Sequence, residues 1–196
     1  KTRLKASNDH LLVPDVDSFI DYLEVFEAVP MTGLIMAQTV IDAVQDQKQS
    51  ANRRKTVRRL RELIDDGRRF STLFSNENYQ ETYYELPPHS SFKLRNDMAI
   101  AKLAAWFTTH ISQHRPCTSK VILITSKEPV KVFAQSTCVL VMTMQEYMQS
   151  FWKTDSTALA LFESVHQVVE ERKRDALRVG ESRAESLSES QGIASE

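Results

Sequence analysis

The sequence predicts an α/β protein of three layers, in which a parallel sheet lies between two layers of helices. Short runs of consecutive apolar residues alternate along the chain with longer segments whose apolar residues recur every three or four positions. Continuous apolar strands are typical of parallel sheets that are covered on both faces. The composition agrees, because 41% of the 196 residues are hydrophobic, which is enough to fill a core.

Five runs have the composition of buried strands. The clearest is the fourth, Val-Ile-Leu-Ile-Thr, which is rich in β-branched residues and bounded by polar ones. The first run ends in an acid, Asp15. The predicted strands are 11–15, 33–37, 70–74, 121–125 and 139–143.

The segments between these strands have helical spacing. Apolar residues within 19–26 predict one helix with a single apolar face. Thr39 is expected to cap a second helix, whose apolar positions begin at Val40. Segment 76–91 contains Pro-Pro and is predicted to be an irregular loop. Further helices are predicted at 53–66, 92–114 and 145–152.

A change of composition after Trp152 divides the chain into parts. Helical spacing continues as far as 180, whereas 181–196 is rich in Ser and Glu and contains two large apolar residues. The chain begins Lys-Thr-Arg without an initiator methionine, so we expect it to be part of a longer protein. The predicted parts are an N-terminal extension (1–10), an α/β domain (11–152), a C-terminal helix (153–180) and a disordered linker (181–196).

The composition also excludes several classes of protein. Four widely spaced glycines cannot form a glycine-rich phosphate-binding loop. Two cysteines, Cys117 and Cys138, cannot form a disulfide framework, and two reduced thiols of an intracellular protein are expected. Every apolar run is far shorter than the ~20 residues of a membrane span. Because the net charge is −1, any contact with nucleic acid requires a local cationic patch.

Acids near the carboxyl ends of the strands are the first candidates for function, because open parallel sheets place their sites there. Asp15 follows the first strand, and Asp97 stands on the first turns of the long helix, from which it can reach the same edge. Acids in such positions also serve as helix caps. The positions alone therefore do not distinguish a functional site from a helix cap.

Several motifs, in matching order along 11–152, resemble one family. They are Gln-Thr-Val at 38–40, Phe-Ser-Thr-Leu-Phe-Ser-Asn-Glu at 70–77, Glu-Thr-Tyr at 81–83 and Arg-Asn-Asp-Met-Ala-Ile at 95–100, together with Trp106 and Glu146-Tyr147. The chain thereby resembles the PIN domain of the RNase II/R-type exoribonuclease subunit attached to the RNA exosome. Asp-Tyr-Leu-Glu at 21–24 and Phe-Trp at 151–152 make it more similar to the cytoplasmic Dis-like paralogue than to the nuclear form.

In active PIN domains of this family, four acids surround one or two divalent cations that activate water for phosphodiester cleavage. By this resemblance Asp15 and Asp97 match two of the acids, whereas Ala43 and Lys127 stand where a glutamate and an aspartate are expected. Mg²⁺ prefers carboxylate oxygens, and an ammonium nearby is unfavourable, because two like unit charges a few ångströms apart repel by ~1 kcal/mol in water and more at lower dielectric. Lys127 can instead pair with Asp15 or Asp97. Asp42, next to Ala43, points about 100° away around the helix.

The resemblance therefore implies a degenerate endonuclease site with no metal or other cofactor in this chain. It also implies a role in docking a cytoplasmic 3′–5′ exoribonuclease onto exosome core subunits, with the exonuclease domain expected beyond Glu196. An alternative is a weak endoribonuclease that binds Mg²⁺ or Mn²⁺ through Asp15, Asp17 and Asp97. Asp17 stands where the family has an asparagine.

A cluster of cations between 53 and 69 supports a further alternative, an RNA-binding module. Eight Arg and Lys residues stand there against three acids. Such clusters are typical of phosphate contacts, although a solvated helix face has the same composition. His110 and His114, spaced i and i+4, have no third ligand near them and are expected at an exposed helix end. The candidate contacts to RNA or a partner protein are Arg53, Arg54, Lys55, Arg58, Arg59 and Arg61.

Overall fold

Helices and strands alternate through the residues that the computed structural model describes, which are 10–46, 53–67, 69, 71–85, 88, 90–114 and 120–192. In chain order the elements are β1 His10–Pro14, α1 Val16–Asp21, α2 Leu23–Ala28, β2 Ile35–Ala37, α3 Gln38–Asp46, α4 Arg53–Asp65, β3 Thr72–Phe74, α5 Phe92–His114, β4 Lys120–Ile124, α6 Glu128–Ser136, β5 Leu140–Met142, α7 Met144–Phe151 and α8 Ser156–Gly192.

The five strands run parallel, as predicted, and form two adjoining sheets. β4 lies between β1 and β5 in a three-stranded sheet, and β2 pairs with β3 in a two-stranded one. A parallel bridge between Leu12 and Leu34 connects β1 to the segment before β2. The N–H of Leu12 also donates to the carbonyl of Gly33 at 3.0 Å. The predicted sheet of about five strands is thus divided into three strands and two, with helices on both sides.

The core is centred on β1 and β4. All five residues of β1 are buried, and so are the last four of β4, because helices cover both faces of the sheet. Phe19 of α1 and Leu103 of α5 are fully buried against them. Burial of each such side chain contributes about 1.5–3 kcal/mol, so these packing layers fix the positions of the strand ends.

The register of β1 and β4 determines which residues meet at the edge of the sheet. Pro14 pairs with Ile124, so both strands end at the same level. The N–H of Asp15 donates to the carbonyl of Ile124 at 3.0 Å, and the N–H of Thr125 donates to the carbonyl of Met142. The residues that follow β1 and β4 therefore lie side by side.

Three helical segments differ from the sequence prediction. The helix predicted over 19–26 is two short helices, which meet at Tyr22. The hydroxyl of Tyr22 lies 2.7 Å from Nδ1 of His166 on α8, and this tertiary contact outweighs the continuous apolar pattern. Thr39 does not cap α3, which begins at Gln38. The short helix α6 was not predicted.

The C-terminal helix is longer than predicted. It begins after Asp155, whose carboxylate accepts the N–H groups of Thr157 and Ala158 at 3.1 and 3.0 Å, and it continues to Gly192. The structure therefore has helix as far as 192, whereas the sequence predicted a boundary at 180 followed by a disordered linker. Residues 181–192 contain no proline, and extending an existing helix costs little. Residues 1–9 and 193–196 lie outside the described ranges, within which no helix is long and apolar enough to cross a membrane.

Candidate functional site

Asp15 is a buried acid whose two carboxylate oxygens both accept hydrogen bonds. Oδ1 accepts the N–H of Ser18 at 2.7 Å, which makes Asp15 the N-cap of α1. Oδ2 accepts the hydroxyl of Thr125 at 2.6 Å. The capping role is therefore confirmed, and the capped carboxylate still lies at the carboxyl edge of the sheet.

Lys127 places its ammonium among three carboxylates. Its Nζ lies 2.5 Å from Oδ1 of Asp97, 3.0 Å from Oδ2 of Asp17 and 3.8 Å from Oδ2 of Asp15. The backbone N–H of Lys127 donates to the Thr125 hydroxyl at 3.1 Å, which fixes the start of α6 next to β1. We call Asp15, Asp17, Asp97 and Lys127 the acid–lysine cluster.

Burial and charge shift the pKa values within this cluster. Burial raises the pKa of Asp97, and the carboxylates of Asp15 and Asp17 add to the rise, while Lys127 opposes it. Burial also acts to raise the pKa of Asp17, but Lys127 and Lys93 outweigh it, so this pKa is lowered. For Lys127, burial favours the neutral form, yet the three carboxylates outweigh burial and raise its pKa. The lysine is consequently protonated at neutral pH.

Lys93 supplies a second cation at the edge of the cluster. Its Nζ lies 3.0 Å from Oδ2 of Asp17, but its side chain is 70% exposed, in contrast with 17% for Lys127. Lys93 stands four residues before Asp97 on α5, so both are on one face of the helix. The cluster therefore combines three carboxylates with one enclosed and one exposed ammonium.

Ala43 lies in a neighbouring groove of about 540 Å³, which α3 forms with Glu77, Tyr83 and the first turns of α5. Its methyl group offers no ligand atom. Asp42, the next acid along the chain, accepts a hydrogen bond from the side chain of Gln38 at 2.8 Å. Neither residue contributes an oxygen to the acid–lysine cluster.

Residues 76–85, the first part of the predicted loop 76–91, are held in place by buried polar groups. Asn76 and Thr82 are fully buried. Asn76 accepts the N–H of Thr39 at 3.3 Å and donates to the Thr39 hydroxyl at 2.7 Å, so it satisfies an N-terminal donor of α3 from a distance. The hydroxyl of Thr82 donates to the carbonyl of Asn76 at 3.0 Å. These bonds attach the segment to α3.

Glu77 and Arg95 attach the same segment to α5. They form a two-point ion pair, with Nη1 of Arg95 2.5 Å from Oε1 of Glu77, and Nε of Arg95 donates to the carbonyl of Tyr84 at 3.1 Å. Burial acts to raise the pKa of Glu77, but the hydrogen bonds from Arg95 and Thr39 outweigh it and lower the pKa. Residues of the quoted motifs therefore support the turn of α5 that carries Asp97.

The described side chains among the cations of 53–69 fall into two groups. Arg59 donates to Glu27 of α2 at 2.7 Å through Nε, and Arg69 pairs with Asp66 at 3.1 Å and donates to the carbonyl of Val29 at 3.0 Å. Arg59, a predicted contact to RNA or a partner protein, is partly buried because its guanidinium pairs with the Glu27 carboxylate. The exposed cations are Arg54, Lys55, Arg58 and Arg61. The side chain of Arg53 and the whole of Arg68 lie outside the described residues.

Among the described residues, the remaining candidates are not grouped as a catalytic or metal-binding site would require. His110 stacks on Trp106 with ring centroids 4.7 Å apart. Cys138 is an exposed free thiol. The side chain of His114 and the whole of Cys117 lie outside the described residues.

Comparison with known proteins decides the family. Residues 12–145 match the family model described as PIN domain. The chain belongs to the PIN domain family. It is 29% identical over 143 residues to Exosome complex exonuclease RRP44 of Mus musculus and 26% identical over 147 residues to Exosome complex exonuclease dis3 of Schizosaccharomyces pombe.

The matched regions cover 72% and 74% of this chain but 14% of each relative. Among solved structures, the RRP44 PIN domain of T. brucei superposes with a TM-score of 0.63 over 79% of this chain and 86% of that one, at 16% identity. The resemblance predicted from the motifs is confirmed at the level of family and fold.

The ammonium of Lys127 would oppose a divalent cation bound by the carboxylates of this cluster. Mg²⁺ requires oxygens at 2.0–2.1 Å, whereas the ammonium of Lys127 already contacts the oxygens that face one another. A cation among the same oxygens would lie within a few ångströms of Lys127 and be repelled. Within the described ranges, no group of three or more His, Cys, Asp or Glu residues is arranged to hold a metal ion.

Two contributors to the site were missed by the sequence analysis. Thr125 is fully buried and connects Asp15 to Lys127. The sequence could have indicated Thr125, because it is a polar residue at the end of a predicted buried strand. Lys93 was also missed, although its i, i+4 spacing to Asp97 indicates that both residues lie on one face of a helix.

Proposed function

We propose that this chain is a non-catalytic PIN domain that docks an exosome-associated 3′–5′ exoribonuclease onto the exosome core. The observation that supports loss of cleavage is the ammonium of Lys127, 2.5 Å from Asp97 and 3.0 Å from Asp17. An ammonium neutralises carboxylates but does not activate water as a bound metal ion does. Because its pKa is raised, Lys127 does not act as a base at neutral pH either.

The docking role is supported by the relatives. Two of them are named exosome complex exonucleases, and this chain matches 14% of their length. We assign exonucleolytic digestion to another part of the parent protein and attachment to this domain. The partners are exosome core subunits, and the compartment is the cytoplasm.

Loss of cleavage is tested with circular single-stranded RNA and Mg²⁺ or Mn²⁺. A circular substrate has no ends, so contaminating exonucleases do not contribute to the signal. We expect no linear product from the chain. The convergence of Asp15, Asp17 and Asp97 favours the second candidate, a weak metal-dependent endoribonuclease. Cleavage that disappears in Asp97→Asn would establish that second candidate.

Docking is tested by retention of purified exosome core on the immobilised chain. We expect retention by the parent chain, and comparison with Lys127→Met shows whether the acid–lysine cluster belongs to the docking surface. Excess free chain should release the core. Failure to retain the core at micromolar concentration would reject the docking role without affecting the conclusion on cleavage.

A further inference from the structure

The outward side of α4 carries cations that are exposed to solvent and form no ion pair with a buried group of the described residues. We call Arg54, Lys55, Arg58 and Arg61 the cationic face; all four side chains are exposed. Arg58 has an ion pair with Glu62 at 3.6 Å, but both side chains are about 70% exposed, and such surface pairs are weak. These cations are therefore available to a ligand.

Three of the four cations form a row. Arg54, Arg58 and Arg61 follow one another at i, i+4 and i+7, and all three line a groove of about 300 Å³ with Val57 and Gln45. At 1.5 Å per residue, their Cα atoms step along the helix by about 6 and 4.5 Å. A row of this kind is complementary to a linear polyanion.

The opposite side of α4 is anchored, so the row is held in a fixed orientation. Leu60 and Leu63 are buried in the core. Arg59 pairs with Glu27 of α2 through Nε and Nη2 of its guanidinium. Because the helix is already ordered, a ligand does not have to immobilise it, which favours binding.

The beginning of α4 provides an independent observation. Its first turn contains no acid, although acids are favourable there and cations are opposed by the helix dipole. Arg54 and Lys55 therefore add to the positive potential of the helix end instead of cancelling it. A bound anion would be stabilised by both sources of potential.

We propose that the cationic face binds the phosphate backbone of single-stranded RNA. Arginine forks match phosphate oxygens with two parallel hydrogen bonds. Among the described residues that line the groove, none is aromatic, so bases are not stacked there and binding is independent of sequence. This activity goes beyond the docking role and uses a different surface from the acid–lysine cluster.

The test measures the affinity of the chain for a fluorescent oligouridine at two salt concentrations. Each phosphate contact to a single strand contributes about −0.7 to the slope of log affinity against log salt, so three contacts weaken binding about 20-fold between 50 and 200 mM. In Arg54→Glu/Arg58→Glu/Arg61→Glu, the slope should decrease in magnitude by about 2. The neutral variant Arg54→Gln/Arg58→Gln/Arg61→Gln should show the same decrease without added repulsion.

The matched control is Arg172→Glu/Arg174→Glu/Arg178→Glu on α8, where all three side chains are exposed and the change in net charge is the same. Circular dichroism melts of each variant verify folding. Loss of RNA affinity in the α4 variants alone supports the proposal. Equal loss in the α8 control, or no loss in the α4 variants, overturns it. Unchanged RNA affinity with reduced retention of the exosome core would assign the face to an acidic protein partner and also overturn it.

Discussion

The hydroxyl of Thr125 donates a 2.6 Å hydrogen bond to Oδ2 of Asp15, which joins the residues that follow β4 and β1 across 110 positions of sequence. The same hydroxyl accepts the N–H of Lys127 at 3.1 Å. Thr125 thus orients one carboxylate of the acid–lysine cluster and the backbone of its lysine.

Replacing Thr125 with Val keeps the shape of this side chain and removes both hydrogen bonds. We expect the free energy of unfolding to fall by about 1–3 kcal/mol, because a buried carboxylate loses one of its donors. Urea unfolding at pH 7 measures the change. Thr109→Val, on the exposed side of α5, should change stability by less than about 0.5 kcal/mol. Equal effects of the two substitutions would contradict the role of Thr125.

Gly33 lies at a position where an added Cβ should destabilise the fold. Its φ of +74° is in the left-handed region, and an added Cβ would lie 3.0 Å from the carbonyl oxygen of His10. Gly33→Ala should cost about 1–3 kcal/mol in the free energy of unfolding. Gly67 has no atom within 4 Å of such a Cβ and no positive φ, so Gly67→Ala should stabilise the protein by about 0.4–1 kcal/mol. Thermal melts of the pair provide the comparison, and equal melting temperatures would contradict it.

Glu77 should make part of the stability depend on pH. Its folded-state pKa lies below the ordinary value of 4.5, so its stabilisation is present above that value and is lost as the pH falls. Glu77→Gln should therefore cost about 1–3 kcal/mol at pH 7, and the difference from the parent should shrink below about pH 4.5. Faster hydrogen exchange in 76–85 should accompany the loss. Glu62→Gln, at an exposed pair, should change neither quantity, and a constant deficit of Glu77→Gln at every pH would contradict the argument.

The strands and the location of the acids were predictable because their signals are local. β-branched apolar runs identify the strands directly. Since parallel strands place their carboxyl ends at one edge, Asp15 and Asp97 were expected to approach each other, and the structure brings both onto Lys127.

The missed features depend on contacts between distant segments. The break at Tyr22 follows from its bond to His166, 144 residues away. One N-terminal donor of α3, the N–H of Thr39, is satisfied by the distant Asn76. Similarly, Arg59 has the sequence environment of a surface residue but is partly buried, because it pairs with Glu27 of α2. Neither local propensity nor charge patterning contains this information, so these features required the tertiary structure.

Lys127→Met tests whether the ammonium compensates the carboxylates around it. Methionine keeps most of the side-chain bulk and removes the charge, so the pKa of Asp97, already raised by burial, should rise further. A carboxyl group whose folded pKa exceeds its unfolded value loses stability as the pH rises through that interval. The variant should therefore lie about 1–3 kcal/mol below the parent at pH 7 and approach it towards pH 4–5.

The stability of Lys127→Met at alkaline pH provides a second check. Because the pKa of Lys127 is raised above 10.5, its stabilisation is present below that value and is lost above it, so the deficit of Lys127→Met should also shrink at alkaline pH. Added Mg²⁺ should recover part of the deficit near pH 7, since the vacated oxygens regain affinity for a cation. Lys93→Met, the same substitution at a side chain that is 70% exposed, should change stability by less than about 0.5 kcal/mol. Urea unfolding from pH 4 to pH 11 covers both sides; a variant as stable as the parent throughout would show that the Lys127 ammonium does not hold the acids together.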